Sequence, residues 1–134
     1  MLKSCKYCGR IHPEGYICPA KPRYDKPRLT RNDKFRRTAA WLHTREAVLD
    51  RDYHMCRICN EGSYGTYAGQ SCNSRQLSVH HIVPLSENFD LRTDEDNLLT
   101  CCAWHHKMCD DGEIPREYQR ELAKTSPRWV TLAK

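Results

Sequence analysis

The sequence lacks any long apolar run. No window approaches the roughly 18 consecutive apolar residues that a membrane-spanning helix needs, and the N-terminus has no apolar stretch of the kind found in secretory signals. Apolar residues make up only 39% of the 134 residues. These shortages exclude an integral membrane protein and favour one small domain with a short appendage. We therefore expect a soluble cytoplasmic protein with no membrane partner.

Cysteine, in contrast, is abundant, with nine in the chain. Small folds with thin cores commonly rely on metals or disulfides for stability. The odd number of cysteines and the Cys-x2-Cys units beside histidines favour metal sites. A reducing compartment agrees with this interpretation.

The first twenty residues contain four candidate zinc ligands, Cys5, Cys8, His12 and Cys18. Their spacing is close to that of a zinc knuckle but not identical to it. A segment this short has almost no core and would depend on metal to fold. The alternative is a disordered tail with incidental thiols. We predict an N-terminal zinc finger over residues 1–20.

Positive charge is concentrated between Lys21 and Arg37. Eight basic residues against two acidic ones give this segment +6, which leaves −1 for the rest of a chain whose formal charge is +5. Pro22 and Pro27 favour an extended linker, which we place at residues 21–34. A cationic strip suits a nucleic-acid backbone, although a solvated linker is the alternative. The candidate DNA-binding residues are Lys21, Arg23, Lys26, Arg28, Arg31, Arg36 and Arg37.

The chain beyond the linker has an α+β pattern. Apolar residues from Trp41 to Leu49 share one helical face, so we predict a helix over residues 38–51 with Trp41 as a core anchor. Short strands are predicted from residue 77 and over 97–101, and helices over 103–109 and from Pro115. The segment between Cys59 and Gln76 is interpreted as a surface loop with Cys72 as a spare thiol. The main domain is placed at residues 35–125, followed by a tail at 126–134.

Two ligand pairs with the same internal gap predict a second zinc site. Cys56-x2-Cys59 and Cys102-x2-His105 together fit one tetrahedral ion. Cys109 competes with these ligands, but on a helix it would lie ~10.5 Å along the axis from Cys102. We therefore predict a core zinc on the two pairs, with Cys101 as a buried thiol and Cys109 as a bystander.

Three histidines and an asparagine remain, namely His80, His81, His106 and Asn97. Neighbours on a strand project to opposite faces, and neighbours on a helix point about 100° apart. His80 is adjacent to His81, and His106 is adjacent to the zinc candidate His105. The two members of each pair therefore favour different roles, such as metal ligand and acid–base group. A site with two catalytic metal ions would need carboxylate ligands, and few carboxylates are placed to supply them. We therefore expect a single divalent ion.

These motifs together resemble the HNH endonuclease family. The resemblance spans about residues 1–115 and includes Cys-x2-Cys, Val-His-His-Ile-Val-Pro-Leu, Asn-Leu and Cys-x2-His-His. The Trp41–Asp52 segment and the N-terminal finger are similar to the subgroup carried by tailed bacteriophages. The resemblance implies a zinc-stabilised ββα-metal core with flanking helices. The chain departs from the family pattern where His105 replaces a common cysteine and in an enlarged 60–76 loop.

The resemblance also implies roles for the remaining residues. His81 would be the general base, His80 and His106 would bind the catalytic metal, and Asn97 would pin the site loop. The implied activity is metal-dependent DNA cleavage leaving 5′-phosphate and 3′-hydroxyl ends. Magnesium or manganese is the expected catalytic ion, with nickel, cobalt or zinc as further options. In the phage subgroup, the activity is associated with genome packaging alongside terminase in the bacterial host cytoplasm.

A second hypothesis is a non-catalytic, zinc-stabilised module that binds nucleic acid. Such a module would need the fingers and the basic strip but not His81. The His-His…Asn…His set favours the enzyme, because binding alone does not require it.

Overall fold

The computed structural model describes residues 1–65 and 76–127. The strands are β1 (Leu2–Ser4), β2 (Ile11–Pro13), β3 (Ser78–His81) and β4 (Leu98–Cys101). The helices are α1 (Arg31–Phe35), α2 (Ala39–Arg51), α3 (Arg57–Glu61), α4 (Ala103–Asp110) and α5 (Arg116–Lys124). The predicted α+β class is confirmed. Among the described residues, none of the helices combines the length and the apolar character needed to cross a membrane.

The strands form two separate antiparallel pairs. In the first, β1 pairs with β2 within the N-terminal twenty residues, with Lys3 opposite His12. In the second, β3 pairs with β4, with Ser78 opposite Cys101 and His81 opposite Leu98. The second pair precedes α4 in the chain, so two antiparallel strands and a helix carry the four histidines predicted for the site, His80 and His81 on β3 and His105 and His106 on α4.

Strand β4 is buried on both faces because apolar residues occupy successive positions. Leu98 packs with Phe35, Trp41, Val48 and Leu49. Leu99, on the opposite face, packs in a second cluster that lies towards α5. Full burial of each leucine contributes about 1.5–3 kcal/mol relative to exposure. Strand β4, which follows the loop after β3, is therefore packed on both faces.

A charged clamp ties the end of α2 to β4. Asp52 is 1% exposed and accepts hydrogen bonds from Arg51 Nε at 2.8 Å and from the Thr100 backbone N–H at 3.0 Å. Arg51 also donates to the carbonyl oxygens of Glu95 and Leu98, each at 2.8 Å. These bonds satisfy buried polar groups and fix α2 against the strand.

Two short helices were not predicted. Helix α1 begins within the predicted linker, where the side chain of Thr30 accepts a hydrogen bond from the Asp33 backbone N–H and the Asp33 carboxylate accepts one from the Thr30 backbone N–H, a capping box. Helix α3 lies where a surface loop was expected to begin, and it is capped after Glu61 by Gly62, which has a φ of 74°. Cys72 and the tail from residue 128 lie outside the described residues.

Candidate functional site

The four predicted core ligands lie together in the structure. His105 Nδ1 is 3.4 Å from Cys56 Sγ, 3.2 Å from Cys59 Sγ and 3.4 Å from Cys102 Sγ. The Sγ atoms of Cys59 and Cys102 are 3.8 Å apart. A tetrahedral zinc with its usual bond lengths places two sulfurs ~3.8 Å apart and sulfur and nitrogen ~3.5 Å apart. The observed separations agree with that geometry.

The chemistry of this cluster also fits a metal ion. Burial raises the pKa of Cys56 to about 12, so its thiolate needs a nearby cation at neutral pH. Burial lowers the pKa of His105, which keeps its imidazole neutral as metal binding requires. Three soft sulfurs and one imidazole nitrogen are the donors of a structural zinc site. The cluster is therefore positioned to hold such an ion.

Both ligand pairs are built by helix N-termini. Cys56 is the N-cap of α3, and its sulfur accepts from the Cys59 backbone N–H. Cys102 is the N-cap of α4, and its sulfur accepts from the His105 backbone N–H. A cap and the residue three positions later face the same side, which explains the shared x2 gap. Cys101 and Cys109 are buried in the core outside this group.

The N-terminal ligands are also brought together. The candidate ligand atoms of Cys5, Cys8, His12 and Cys18 lie within 4.8 Å of one another. Cys8 Sγ is 3.0 Å from His12 Nε2. Backbone N–H groups of Tyr7 and Cys8 lower the pKa of Cys5, which favours the thiolate that binds metal. This group too can hold a metal ion, on a hairpin that was not predicted.

A third candidate metal group consists of His80, His106 and Asp110. His80 Nδ1 lies 3.5 Å from Asp110 Oδ1, and His106 Nε2 lies 3.6 Å from Asp110 Oδ2. His80 is 4% exposed, whereas the Asp110 side chain is 59% exposed. Burial lowers the pKa of His80 to about 4, so its ring is neutral near pH 7. A metal ion held by two nitrogens and one carboxylate would keep further coordination positions open for water or substrate.

Asp110 was missed in the sequence analysis, which ended the predicted helix at residue 109 and found few carboxylates available. Helix α4 continues through Asp110, so His106 and Asp110 lie at i and i+4 on one face. The His-x3-Asp spacing was the signal. At the other ring nitrogen of His106, Ser78 Oγ lies 2.6 Å from Nδ1 and orients the ring.

His81 lies on the opposite face of β3 from His80, as the strand alternation predicted. Its Nε2 is 3.0 Å from the carbonyl oxygen of Arg92. Because a carbonyl only accepts, Nε2 carries the proton in that bond, and a neutral ring then has its free lone pair on Nδ1. Burial lowers the pKa of His81, and the charge of Arg36 lowers it further. A neutral imidazole with a free acceptor nitrogen is the form that a general base needs.

Trp41 contacts this histidine directly. The two rings stack with centroids 4.9 Å apart and planes 25° from parallel. Phe35 meets His81 edge-on at 6.3 Å. Trp41 is 7% exposed, in agreement with the predicted core position, but its contact with His81 was not foreseen. The aromatic rings restrict how His81 can rotate.

Asn97 fastens the loop between β3 and β4. Its Oδ1 accepts from the Val83 backbone N–H at 2.8 Å, and its Nδ2 donates to the carbonyls of Val83 and Leu91 at 3.2 and 3.4 Å. Since Arg92 follows Leu91, this fastening also positions the carbonyl that holds His81. Asn97 itself is 5% exposed. The geometry therefore agrees with a loop-pinning side chain.

The candidate DNA-binding residues occupy two kinds of position. Lys21, Arg23, Lys26 and Arg28 are exposed on chain without regular secondary structure. Arg31 begins α1, and its guanidinium lies 4.1 Å from the centroid of the Phe89 ring. Arg36 and Arg37 follow α1 and are exposed.

One cleft joins several of these groups. It has a volume of ≈ 420 Å³, and its lining includes His80, His81, His106 and Asp110. Trp41, Arg36 and Arg45 line the same space from the α1–α2 segment. The candidate base, the candidate metal ligands and two guanidinium groups therefore share one opening.

Comparisons of the chain with models of known families, with curated proteins and with solved structures give no match.

Proposed function

We propose that this chain is a metal-dependent endonuclease of the HNH type that hydrolyses phosphodiester bonds in DNA. The observation that carries the proposal is the cleft that His81 shares with His80, His106 and Asp110. The order β3, β4, α4, with His80 and His81 on β3 and His106 on α4, supports a ββα-metal core. The proposal includes one structural zinc in the core cluster and a second in the N-terminal finger.

His81 is the general base in this proposal. Its free Nδ1 accepts the proton of the attacking water, while the Nε2–H remains bonded to the Arg92 carbonyl. Burial lowers the pKa of His81 and so keeps the ring neutral before the transfer, whereas the bond to the Arg92 carbonyl acts in the opposite direction and favours the protonated ring that the transfer forms. The stack on Trp41 holds the ring in place during the transfer. The products are a 5′-phosphate and a 3′-hydroxyl.

His80, His106 and Asp110 are the residues that would hold the catalytic ion. When bound, a divalent ion there would stabilise the negative charge that develops on the phosphate and on the departing 3′ oxygen. Two imidazoles and one carboxylate suit manganese, nickel, cobalt or zinc, and the carboxylate makes magnesium a better fit than two histidines alone. Asn97 keeps the site loop in register through Val83 and Leu91.

In this proposal, the basic segment from Lys21 to Arg37 binds DNA. The exposed residues from Lys21 to Arg28 would lie along the phosphate backbone without reading sequence. By the same family resemblance, we propose a setting in phage genome packaging, with terminase components as partners in the host cytoplasm.

The second candidate function is a non-catalytic nucleic-acid-binding module. It is favoured by the two Cys/His clusters together with the +6 strip. Binding alone does not require a histidine with a free ring nitrogen in a cleft beside three candidate metal ligands. We therefore place the enzyme first.

The deciding experiment compares His81→Ala with the wild type in plasmid cleavage. The variant should lose about 100-fold or more of the activity, the usual scale for a general base, while zinc content and DNA affinity stay unchanged. His43→Ala, which removes an exposed histidine on α2, is the matched control and should cleave normally. EDTA should stop the wild type, and magnesium or manganese should restore it. Wild-type protein inactive with every one of these metals, or a fully active His81→Ala, would leave the binding module as the function.

A further inference from the structure

Helix α2 carries an arginine on its apolar face. Trp41, Val48 and Leu49 form the buried stripe of this helix and are 7%, 0% and 5% exposed. Arg45 falls between them, one turn after Trp41, at the i+4 position of the same stripe. The Arg45 side chain is 35% exposed, so its aliphatic stem lies along the stripe while its guanidinium stays accessible to a polar or ionic partner.

The ion pair that Arg45 makes within the protein does not explain this position. Arg45 Nη1 lies 3.2 Å from Glu46 Oε1, but the Glu46 side chain is 62% exposed. Exposed pairs of this kind contribute little to stability. An Arg–Glu pair on neighbouring residues also leaves most of the five N–H donors of the guanidinium available.

Arg45 instead lines the cleft that contains the candidate site. Arg36, at the end of α1, lines the same cleft, and its contact with Asp33 is long, 3.7 Å, and exposed. Arg36 is also close enough for its charge to act on His81. The candidate metal ligands reach the cleft from β3 and α4, whereas the two arginines reach it from the α1–α2 segment.

We propose that Arg36 and Arg45 form a binding site for a phosphodiester group in this cleft, and that Arg45 holds the phosphate on which His81 acts. The inference rests on the proposed endonuclease function and identifies the side chains that would hold its substrate. A guanidinium can donate two parallel hydrogen bonds to two phosphate oxygens, which fixes the orientation of the group as well as its position. A volume of ≈ 420 Å³ lies within the roughly 300–1,000 Å³ range of ligand sites.

The two sets of basic residues then have different tasks. The linker residues act on DNA flanking the reacting bond, and their effect depends on a long polyanion. Arg45 acts on the reacting phosphate itself, and its effect persists when the flanking DNA is removed. A small diester substrate separates these roles.

The test uses bis(p-nitrophenyl) phosphate and plasmid DNA with the zinc-loaded 134-residue chain. Arg45→Ala should lower kcat/KM about 100-fold on both substrates, the scale for removing one donor to the reacting group. Arg45→Lys keeps the charge but loses the fork, and should recover part of that loss. Arg120→Ala, which removes an exposed arginine of α5 outside the cleft, is the control and should leave the small-substrate rate unchanged.

A binding measurement keeps the two proposals separate. In a His81→Ala background, calorimetric titration with a thymidine dinucleotide should give at least tenfold weaker binding once Arg45→Gln is added. Arg45→Gln keeps most of the side chain, and zinc content and thermal unfolding verify the fold. If Arg45 variants with a native fold bind the dinucleotide and cleave the small diester as the wild type does, the phosphate site is refuted. If wild-type protein cleaves neither substrate but the dinucleotide arm behaves as expected, the endonuclease function fails and the phosphate site stands.

Discussion

Replacing Asn97 by alanine should destabilise the protein much more than an ordinary loop substitution. The asparagine side chain makes one accepted and two donated hydrogen bonds, all to the backbone of the loop between β3 and β4. Alanine removes all three bonds. It also leaves the Val83 backbone N–H without its side-chain acceptor in a site where Asn97 itself is 5% exposed.

The magnitude follows from these contacts. A hydrogen bond contributes about 1 kcal/mol net, and leaving a buried donor unsatisfied adds about 1–3 kcal/mol. The two longer bonds, at 3.2 and 3.4 Å, are weaker than the 2.8 Å bond. We expect the free energy of unfolding to fall by about 3 kcal/mol, which lowers Tm by roughly 10 °C in a domain of this size.

Urea denaturation followed by circular dichroism measures this change. Asn88→Ala is the matched control, because Asn88 is exposed and its side chain accepts one bond, from the Asp90 backbone N–H at 3.1 Å. It should cost less than about 1 kcal/mol. Hydrogen exchange at Val83 should accelerate in Asn97→Ala and not in the control. Equal, small effects of the two substitutions would refute the assignment of Asn97 as the loop fastener.

Three further predictions concern metal, charge and pH. Dialysed protein should contain two zinc ions per chain, and Cys8→Ser should remove one; a wild-type value near one would leave only a single structural site. Neutralising Arg23 and Arg28 should weaken binding to all DNA sequences alike and flatten the slope of log K against log salt by about 0.9 per lost contact; an unchanged slope would identify a solvated linker. Without added divalent metal, the free energy of unfolding should fall by about 2 kcal/mol from pH 7 to pH 5, because His80 has a folded-state pKa of about 4 against ~6.5 unfolded and the unfolded chain binds more protons in that window. His80→Asn should flatten this dependence in urea titrations, and an equally steep dependence in the variant would assign it to other groups.

Local spacing made the ligand clusters predictable from the sequence. Cys56 with Cys59 and Cys102 with His105 each combine a helix cap and its third neighbour, a relation that holds wherever such a helix begins. The assignment of different faces to His80 and His81 depends only on strand alternation. Helix α2 was predictable because its apolar stripe follows the helical period.

The features that were missed depend on contacts between distant segments or on where an element ends. Asp110 joins His106 only because α4 continues one residue beyond the predicted boundary. The stack of Trp41 on His81 joins residues forty positions apart in the chain, and a periodic pattern identifies Trp41 simply as buried. The N-terminal hairpin consists of two three-residue strands, too short for an alternation signal.

Helix α4 carries ligands of two candidate metal groups, one at its first turn and the other further along. It has only eight residues, its cap Cys102 and its third residue His105 belong to the core cluster, and His106 and Asp110 belong to the cleft. An isolated helix of this length is marginal in water, so its order depends on what holds its first turn. A chelator that keeps zinc out of the core cluster would therefore also disorder His106 and Asp110 further along the helix. In an assay of the proposed nuclease activity, protein treated in this way should regain cleavage with zinc and magnesium together but not with magnesium alone.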